Sequence, residues 1–204
     1  MIKALLYVSL ILIFSSCATP KSIDSLLIIP TPIHDPKYTV SGNTIIYEDK
    51  NISIVVKHLS PLMLNNYYQE RNLINPFADF PADKKFTIFA VRFLNNSKDK
   101  ITYNPMMSAI FEGNEKPIRP IDVTDFYMLL SEDPNVEARM KMIKKTAYDV
   151  QFVLQNGEKK DALLIFPAID LSTKVVTLIL KDVYFGFKWT NIPFVFDVTE
   201  KKEK

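Results

Sequence analysis

Few residues of this 204-residue chain have side chains suited to catalysis or metal binding: it contains one cysteine, Cys17, and two histidines, His34 and His58. His34 lies in a proline-rich stretch, far in sequence from the other two. His58 ends an alternating apolar run, where a histidine at the rim of a sheet is expected rather than a ligand. Because no His-x-x-x-His or paired-cysteine spacing occurs, the sequence predicts no zinc site and no cofactor.

Four acidic residues in the middle of the chain are the remaining candidates for acid–base chemistry: Asp122, Asp125, Glu132 and Asp133. One interpretation is a weak Ca²⁺ site or an acid–base pair. The other is helix capping, since a side-chain oxygen at a helix start accepts hydrogen bonds from free main-chain N–H groups. Capping accounts for Asp122 and Asp133 without further assumption, so we predict no catalytic residue and no metal ligand.

A basic stretch follows on the second predicted helix: Arg139, Lys141, Lys144 and Lys145. It could contact phospholipid or an acidic polymer, or it could form a solvated helix face. The formal net charge of the chain is only +2, too small for a field that attracts nucleic acid at physiological salt. We therefore expect no nucleic-acid partner and retain these four residues as a candidate interaction surface.

Four aromatic residues lie close together near the C-terminus: Tyr184, Phe185, Phe187 and Trp189. They could fill the core of a β protein, or form an exposed platform for a glycan or a peptide. Gly186 within the cluster permits a β-bulge, and a bulge can turn a side chain outward. Phe185, Phe187 and Trp189 are thus a second candidate interaction surface.

The N-terminal segment has the layout of a secretory signal. It has a basic start, then eleven uncharged residues at 4–14, and two serines precede Cys17. An apolar run of this length is about half of what a membrane-spanning helix needs. We expect residues 1–16 to be a cleaved signal peptide.

A small residue followed by cysteine at the end of such a segment resembles the lipobox of bacterial lipoproteins, with Phe14 where Leu is usual. The resemblance implies that Cys17 becomes the mature N-terminus and carries a diacylglyceryl group, with a further acyl chain on its nitrogen. Two or three such chains anchor a protein stably in a membrane. Ala18 is not the Asp that the family's common sorting pattern uses for inner-membrane retention, which favours the outer membrane. An ordinary signal peptide cleaved elsewhere is the alternative.

Four prolines make residues 17–37 a candidate tether between the membrane and a domain. The apolar island 26–29 within it could instead be an edge strand, and the sequence leaves both open. Beyond it, period-two alternation predicts strands at 43–47, 52–57, 86–94, 148–154, 160–166, 175–184 and 192–198. Asn156-Gly157 favours a hairpin between the strands on either side of it.

Helical signals occur in two regions. Ser60-Pro61 can cap a helix that reaches Arg71, while Asp122 and Asp133 can open the two helices of an insertion at about 122–146. Eight or nine strands with such an insertion predict a mainly β protein of sandwich type. Its domain is expected at 38–199, followed by a charged tail at 200–204.

The segment from Phe86 to Pro120 resembles part of the immunoglobulin-like modules of bacterial envelope lipoproteins. The shared features are an apolar strand closed by Asn and Ser, a Tyr-x-Pro, a Phe before Glu-Gly, and a strand reaching Arg-Pro. The resemblance implies an immunoglobulin-like β-sandwich, here without the cysteine pair of antibody domains. It concerns turns and apolar positions rather than catalytic residues.

Together these patterns predict a lipid-anchored, non-catalytic protein of the cell envelope that binds or scaffolds an envelope protein or glycan. An accessory subunit of an envelope assembly or export complex is an alternative that the sequence does not distinguish from it. A hydrolase of envelope polymers, with carboxylates that converge only in the folded chain, is a further alternative.

Overall fold

A computed structural model of the chain describes residues 26–80, 85–113, 116–148 and 150–200. In chain order its elements are β1 (Leu26–Pro30), β2 (Tyr38–Ser41), β3 (Thr44–Glu48), β4 (Ile52–His58), α1 (Pro61–Gln69), β5 (Phe86–Asn95), β6 (Ile101–Tyr103), β7 (Ala109–Glu112), α2 (Val123–Leu129), α3 (Val136–Thr146), β8 (Phe152–Leu154), β9 (Lys159–Pro167), β10 (Val175–Phe185) and β11 (Lys188–Glu200). The chain is mainly β, which confirms the prediction made from its apolar alternation.

The strands form two antiparallel sheets. In the first sheet the order is β1-β11-β10-β6-β8, with β7 also pairing with β10, and in the second it is β2-β3-β4-β5-β9. One cluster of buried side chains joins their facing sides, with Phe89 and Phe93 from the second sheet among Leu178, Phe194 and Phe196 from the first. Burying a side chain of this size stabilises the fold by roughly 2 kcal/mol, so this shared core holds the sheets face to face.

A second apolar cluster lies on the outer side of the second sheet. Ile88 of β5, with Leu163 and Ile165 of β9, belongs to it together with Phe126 of α2 and Ile143 of α3. The helical insertion between β7 and β8 therefore covers this sheet, and α1 joins it there. This cover explains why β5 and β9 are apolar on both faces.

The helices begin close to where the local sequence predicts. Ser60 caps α1, and Asp122 and Asp125 form a reciprocal capping box at the start of α2. Helix α3 begins at Val136 rather than directly after Asp133. The reason is that the Asp133 carboxylate first closes a turn by accepting the N–H of residue 135 at 2.7 Å.

Residues 26–30 form the edge strand β1, which is one of the two alternatives that the sequence left open. The strand pairs along its whole length with the end of β11, from Leu26 opposite Glu200 to Pro30 opposite Phe196. Its alternate residues are buried in the shared core. This burial ties the apolar island into the first sheet.

The folded domain therefore starts twelve residues earlier than predicted, inside the range expected to be a tether. The prediction of a tether over 17–37 is corrected accordingly, since part of it is strand β1. Residues 1–25, with the predicted signal peptide and Cys17, lie outside the described residues, and so do residues 201–204 of the charged tail.

The Asn156-Gly157 turn does not join a hairpin, and this prediction is wrong. Strand β8, before the turn, pairs with β6 in the first sheet, whereas β9, after it, pairs with β5 in the second. Gly157 does adopt a positive φ of 75°, but its N–H donates to the carbonyl of Asn95 in β5 at 2.8 Å. The chain changes sheets here because β9 is apolar on both faces, and it can bury both only in the sheet that the helices cover.

Candidate functional site

The hairpin between β10 and β11 ends in a two-residue loop, Gly186–Phe187. Phe185 and Lys188 are its closing pair. Gly186 has a φ of 59° and Phe187 has a negative φ, the pattern of a type II′ turn, which places glycine first. The N–H of Gly186 also donates to the carbonyl of Lys100 at 3.1 Å, which fixes the turn against the loop before β6. Gly186 is therefore part of a hairpin turn and not of the predicted bulge.

The bulge of this hairpin lies a few residues earlier in β10. The strand register shifts between Leu180 and Val183, so that Lys181 and Asp182 together oppose Asn191. Leu180 and Val183 are both fully buried, which a regular strand with its period of two could not achieve for residues three apart. The bulge thus reverses the alternation and turns the next side chain outward.

That outward side chain is Tyr184, and Trp189 is its direct neighbour across the strands. Trp189 is 58% exposed and Tyr184 is 41% exposed. The row continues across the sheet, since Tyr184 lies opposite Thr102 and Thr102 lies opposite Val153, which is 44% exposed. Phe187, on the turn itself, is fully exposed at 104%. We call Tyr184, Phe187 and Trp189 the aromatic tip.

Phe185, which the sequence analysis included in this surface, does not belong to it. It alternates with Tyr184 and packs against the shared core. The exposed surface therefore consists of Tyr184, Phe187 and Trp189. Because large apolar side chains that stand together in solvent mark interaction surfaces, the aromatic tip is the first candidate functional site.

Charged residues lie beside the turn of the aromatic tip. Lys98, Asp99 and Lys100 are exposed in the loop that contacts the turn, and Lys188 is exposed beside it. We call these four residues the rim.

The predicted basic surface is divided by the fold. Arg139 is mostly buried: it donates to the main-chain carbonyl of Pro76, forms a 2.8 Å ion pair with Asp133, and lies 5.4 Å from the ring centre of Phe80. These contacts join α3 to the segment after α1. Arg139 therefore holds the helical layer together and does not belong to an exposed basic face.

The lysines of the same helix do point to solvent. Lys141, Lys144 and Lys145 are exposed, and the Lys144 ammonium lies 3.1 Å from the hydroxyl of Tyr127 and 5.0 Å from its ring centre. The structure thus leaves three of the four predicted basic residues available for contact.

The acidic candidates serve the helical insertion. Asp125 accepts two hydrogen bonds from Arg119, at 2.7 and 2.9 Å, and also caps α2. The hydrogen bonds from Arg119 lower the pKa of Asp125. Asp133 pairs with Arg139, and Glu132 is exposed. Within the described ranges, no group of three His, Cys, Asp or Glu residues could hold a metal ion.

Two clefts flank α1. The smaller, about 170 Å³, lies between β1, α1 and the segment 75–80 and is lined by His58. The ring of His58 packs edge-to-face on Phe89, with centroids 5.6 Å apart, and burial lowers the pKa of His58 to about 4. A histidine that stays neutral at neutral pH and faces an aromatic ring fits the predicted structural role.

The larger cleft, about 240 Å³, lies between α1 and the outer side of the second sheet. Asp161 lines it and is held there by Arg92, at 2.8 and 3.0 Å, and by Arg71 at 3.6 Å. Arg71 also lies 3.6 Å from the ring centre of Tyr67. Sequence reasoning did not find this cluster, because its members come from β5, β9, helix α1 and the turn after α1, which are far apart in the chain.

The bulge at Asp182 also went unpredicted, because the sequence signal for a bulge pointed to Gly186. The spacing of Leu180 and Val183, two apolar residues three apart in an otherwise alternating strand, is the signal that could have found it. Cys17, the predicted lipidation site, lies outside the described residues. Among the described residues, each helix is too short or too polar to span a lipid bilayer.

No protein-family model matches the chain, and no curated protein matches it. Among solved structures, the yjhA protein from Bacillus subtilis is similar over 72% of this chain and 78% of its own length, at 14% identity and a TM-score of 0.32. A likeness at this TM-score carries no argument about function.

Proposed function

We propose that the protein is a lipid-anchored, non-catalytic component of the cell envelope, in the outer membrane, that binds or scaffolds a partner through the aromatic tip. The observation that carries the binding role is the exposure of Phe187 and Trp189 on a hairpin whose turn is hydrogen-bonded in place. Monomeric proteins rarely leave aromatic side chains together in water unless they meet a partner there. The anchor is supported by the apolar segment and small residues that precede Cys17.

A binding role is favoured over catalysis by what the charged residues do. Asp122, Asp125 and Asp133 cap helices or pair with arginines, and Asp161 in the larger cleft is held by two arginines. Carboxylates engaged in this way act as structural acceptors. The proposed partner is an envelope protein or a glycan, and an accessory role in an envelope assembly or export complex is one form of the same proposal.

For the fold we propose the finer class of an immunoglobulin-like sandwich with a helical insertion. Its support is the pair of antiparallel sheets on a shared core, together with the turn pattern in residues 86–120. The helical layer on the second sheet, from α1, α2 and α3, is the addition to that architecture.

The anchor is tested by growing cells that express the full chain with an alkyne fatty-acid analogue. We expect label on the wild-type protein, no label on Cys17→Ser, and normal labelling of the matched variant Ser16→Ala, which keeps a small residue before the cysteine. Fractionation is expected to move Cys17→Ser out of the membrane. A wild-type protein that is unlabelled, or whose mature N-terminus is not Cys17, would overturn the proposal.

A further inference from the structure

The aromatic tip and the start of the domain lie at opposite ends of one strand. Leu26, the first residue of β1, pairs with Glu200 at the end of β11, whereas Lys188 at the beginning of β11 closes the tip. Twelve residue steps separate these two ends of β11. At ~3.3 Å per step, the strand holds the tip about 40 Å from the anchored end.

The chain between the predicted anchor and the domain is too short to bring the tip back. Cys17 lies nine residues before Leu26, and whatever conformation they adopt, nine residues span at most about 32 Å. This reach is shorter than the ~40 Å strand, so the domain cannot stand on the bilayer with its tip down and Leu26 at the far end. With Leu26 nearest the bilayer and β11 upright, the exposed aromatic cluster meets something other than the anchoring bilayer.

The shape and chemistry of the tip select among the remaining occupants. Phe187 projects from the turn beyond the Tyr184–Trp189 pair and is fully exposed, so the surface is convex and fits a concave receptor. The charged rim of Lys98, Asp99, Lys100 and Lys188 lies beside its turn. Tyr, Trp and Phe at the centre with charged residues at the edge are the composition of protein–protein contacts, where an aromatic anchor fills a pocket of the partner.

We infer that the aromatic tip inserts Phe187 into an apolar pocket of a protein partner, on the side of the domain that faces away from the anchoring bilayer. The location relative to the membrane rests on the proposed lipid anchor. Recognition of the pocket rests only on the described hairpin. Trp189 supports the contact from the side, and the bulge at Asp182 keeps its neighbour Tyr184 facing outward.

The test uses the chain's one tryptophan, Trp189, as a reporter of the tip. The full-length acylated protein is placed in vesicles of phosphatidylethanolamine and phosphatidylglycerol, with and without brominated acyl chains. We expect a red-shifted emission that acrylamide quenches and brominated lipid does not. Quenching by brominated lipid would overturn the inference, because it would place the tip in the bilayer.

The partner is then sought in cells with a photocrosslinking amino acid at position 187 of the full chain, and at the exposed position 62 on α1 as the control. We expect one envelope protein to crosslink from position 187 only. The purified partner should shift Trp189 emission to the blue and protect it from acrylamide. Phe187→Ser should weaken this binding at least tenfold, as for an anchor residue, whereas the control Ile74→Ser, at an exposed site away from the tip, should not.

Solubilised peptidoglycan fragments test the alternative that the tip binds a glycan. Protection of Trp189 by the fragments without a protein would overturn the inference in favour of a glycan. An unchanged affinity of the protein partner for Phe187→Ser would also overturn it, because Phe187 would then not fill a pocket of that partner. Failure of the anchor is distinguishable from failure of the tip. If Cys17 is not acylated but the partner still protects Trp189, the inference about the tip is supported and the proposed anchor is wrong. If Cys17 is acylated but Phe187→Ser binds the partner as tightly as the wild type, the anchor is supported and the inference about the tip is wrong.

Discussion

The side-chain amide of Asn95, at the end of β5, donates a 2.9 Å hydrogen bond to the main-chain carbonyl of Leu154 in β8 and so joins the two sheets. The same amide donates to the carbonyl of Asp99 at 2.9 Å, and the Asn95 side-chain oxygen accepts the N–H of Ser97 at 2.8 Å. Asn95 is fully buried, and these hydrogen bonds satisfy both its side-chain nitrogen and its side-chain oxygen. It stands where the chain passes from one sheet to the other.

Asn95→Ala is expected to lower the free energy of unfolding by about 3 kcal/mol, because it leaves buried main-chain groups without partners. Urea unfolding followed by far-ultraviolet circular dichroism measures the loss. The matched control is Asn96→Ala at the exposed neighbouring position, which should change stability by no more than about 0.5 kcal/mol. Equal effects of the two substitutions would contradict a special role for the buried amide.

Arg139→Met is expected to destabilise the protein by about 2 kcal/mol, since it breaks an ion pair and a main-chain hydrogen bond in a mostly buried place. Lys141→Met, on the solvent side of the same helix, is the control and should cost less than about 0.5 kcal/mol. Hydrogen exchange should show that Arg139→Met loosens α3 and the segment around Pro76. Unchanged protection there would assign Arg139 to the exposed basic face after all.

Substitutions of Asp182 test the bulge that turns Tyr184 outward. Its φ of 54° is strained for most residues, so Asp182→Gly should raise stability by up to about 1 kcal/mol, while Asp182→Val should lower it by at least about 1 kcal/mol. Both keep the N–H that donates to Asn191. If Val is tolerated as well as Gly, the left-handed backbone at this position is not required.

The partly buried His58, which lies between Phe89 and the smaller cleft, makes stability depend on pH. Its folded pKa of about 4 lies below the value near 6.5 for an unfolded histidine. The unfolded chain therefore binds more protons in this window, and stability falls as the pH drops from about 6.5 to 4. His58→Gln should remove up to about 3 kcal/mol of this pH dependence.

The other histidine of the chain, the exposed His34, supplies the comparison for that measurement. Urea unfolding at several pH values is followed for the wild type, His58→Gln and His34→Gln. The first substitution should flatten the profile and the second should leave it unchanged. A steep profile in His58→Gln would assign the acid sensitivity to other groups.

The sequence predicted the features that depend on near neighbours in the chain. The caps at Ser60 and Asp122 were found because a cap needs only the next three residues. The partner of β9 was not found, because Asn156-Gly157 specifies a turn and says nothing about which sheet follows it. Arg139 could have been placed by its spacing, since it lies three residues after Val136 and four before Ile143, on the edge of the buried helix face.

The opposite placement of Leu26 and the Gly186–Phe187 turn has a mechanical consequence. Suppose that the chain is attached before Leu26 and that a partner holds the turn. A pulling force between these two points then acts along the strands. The five residue pairs between β1 and β11 then bear the load in shear, all together, instead of peeling apart one by one. Tension between the two ends would pass through β11 without unzipping the edge of the sheet.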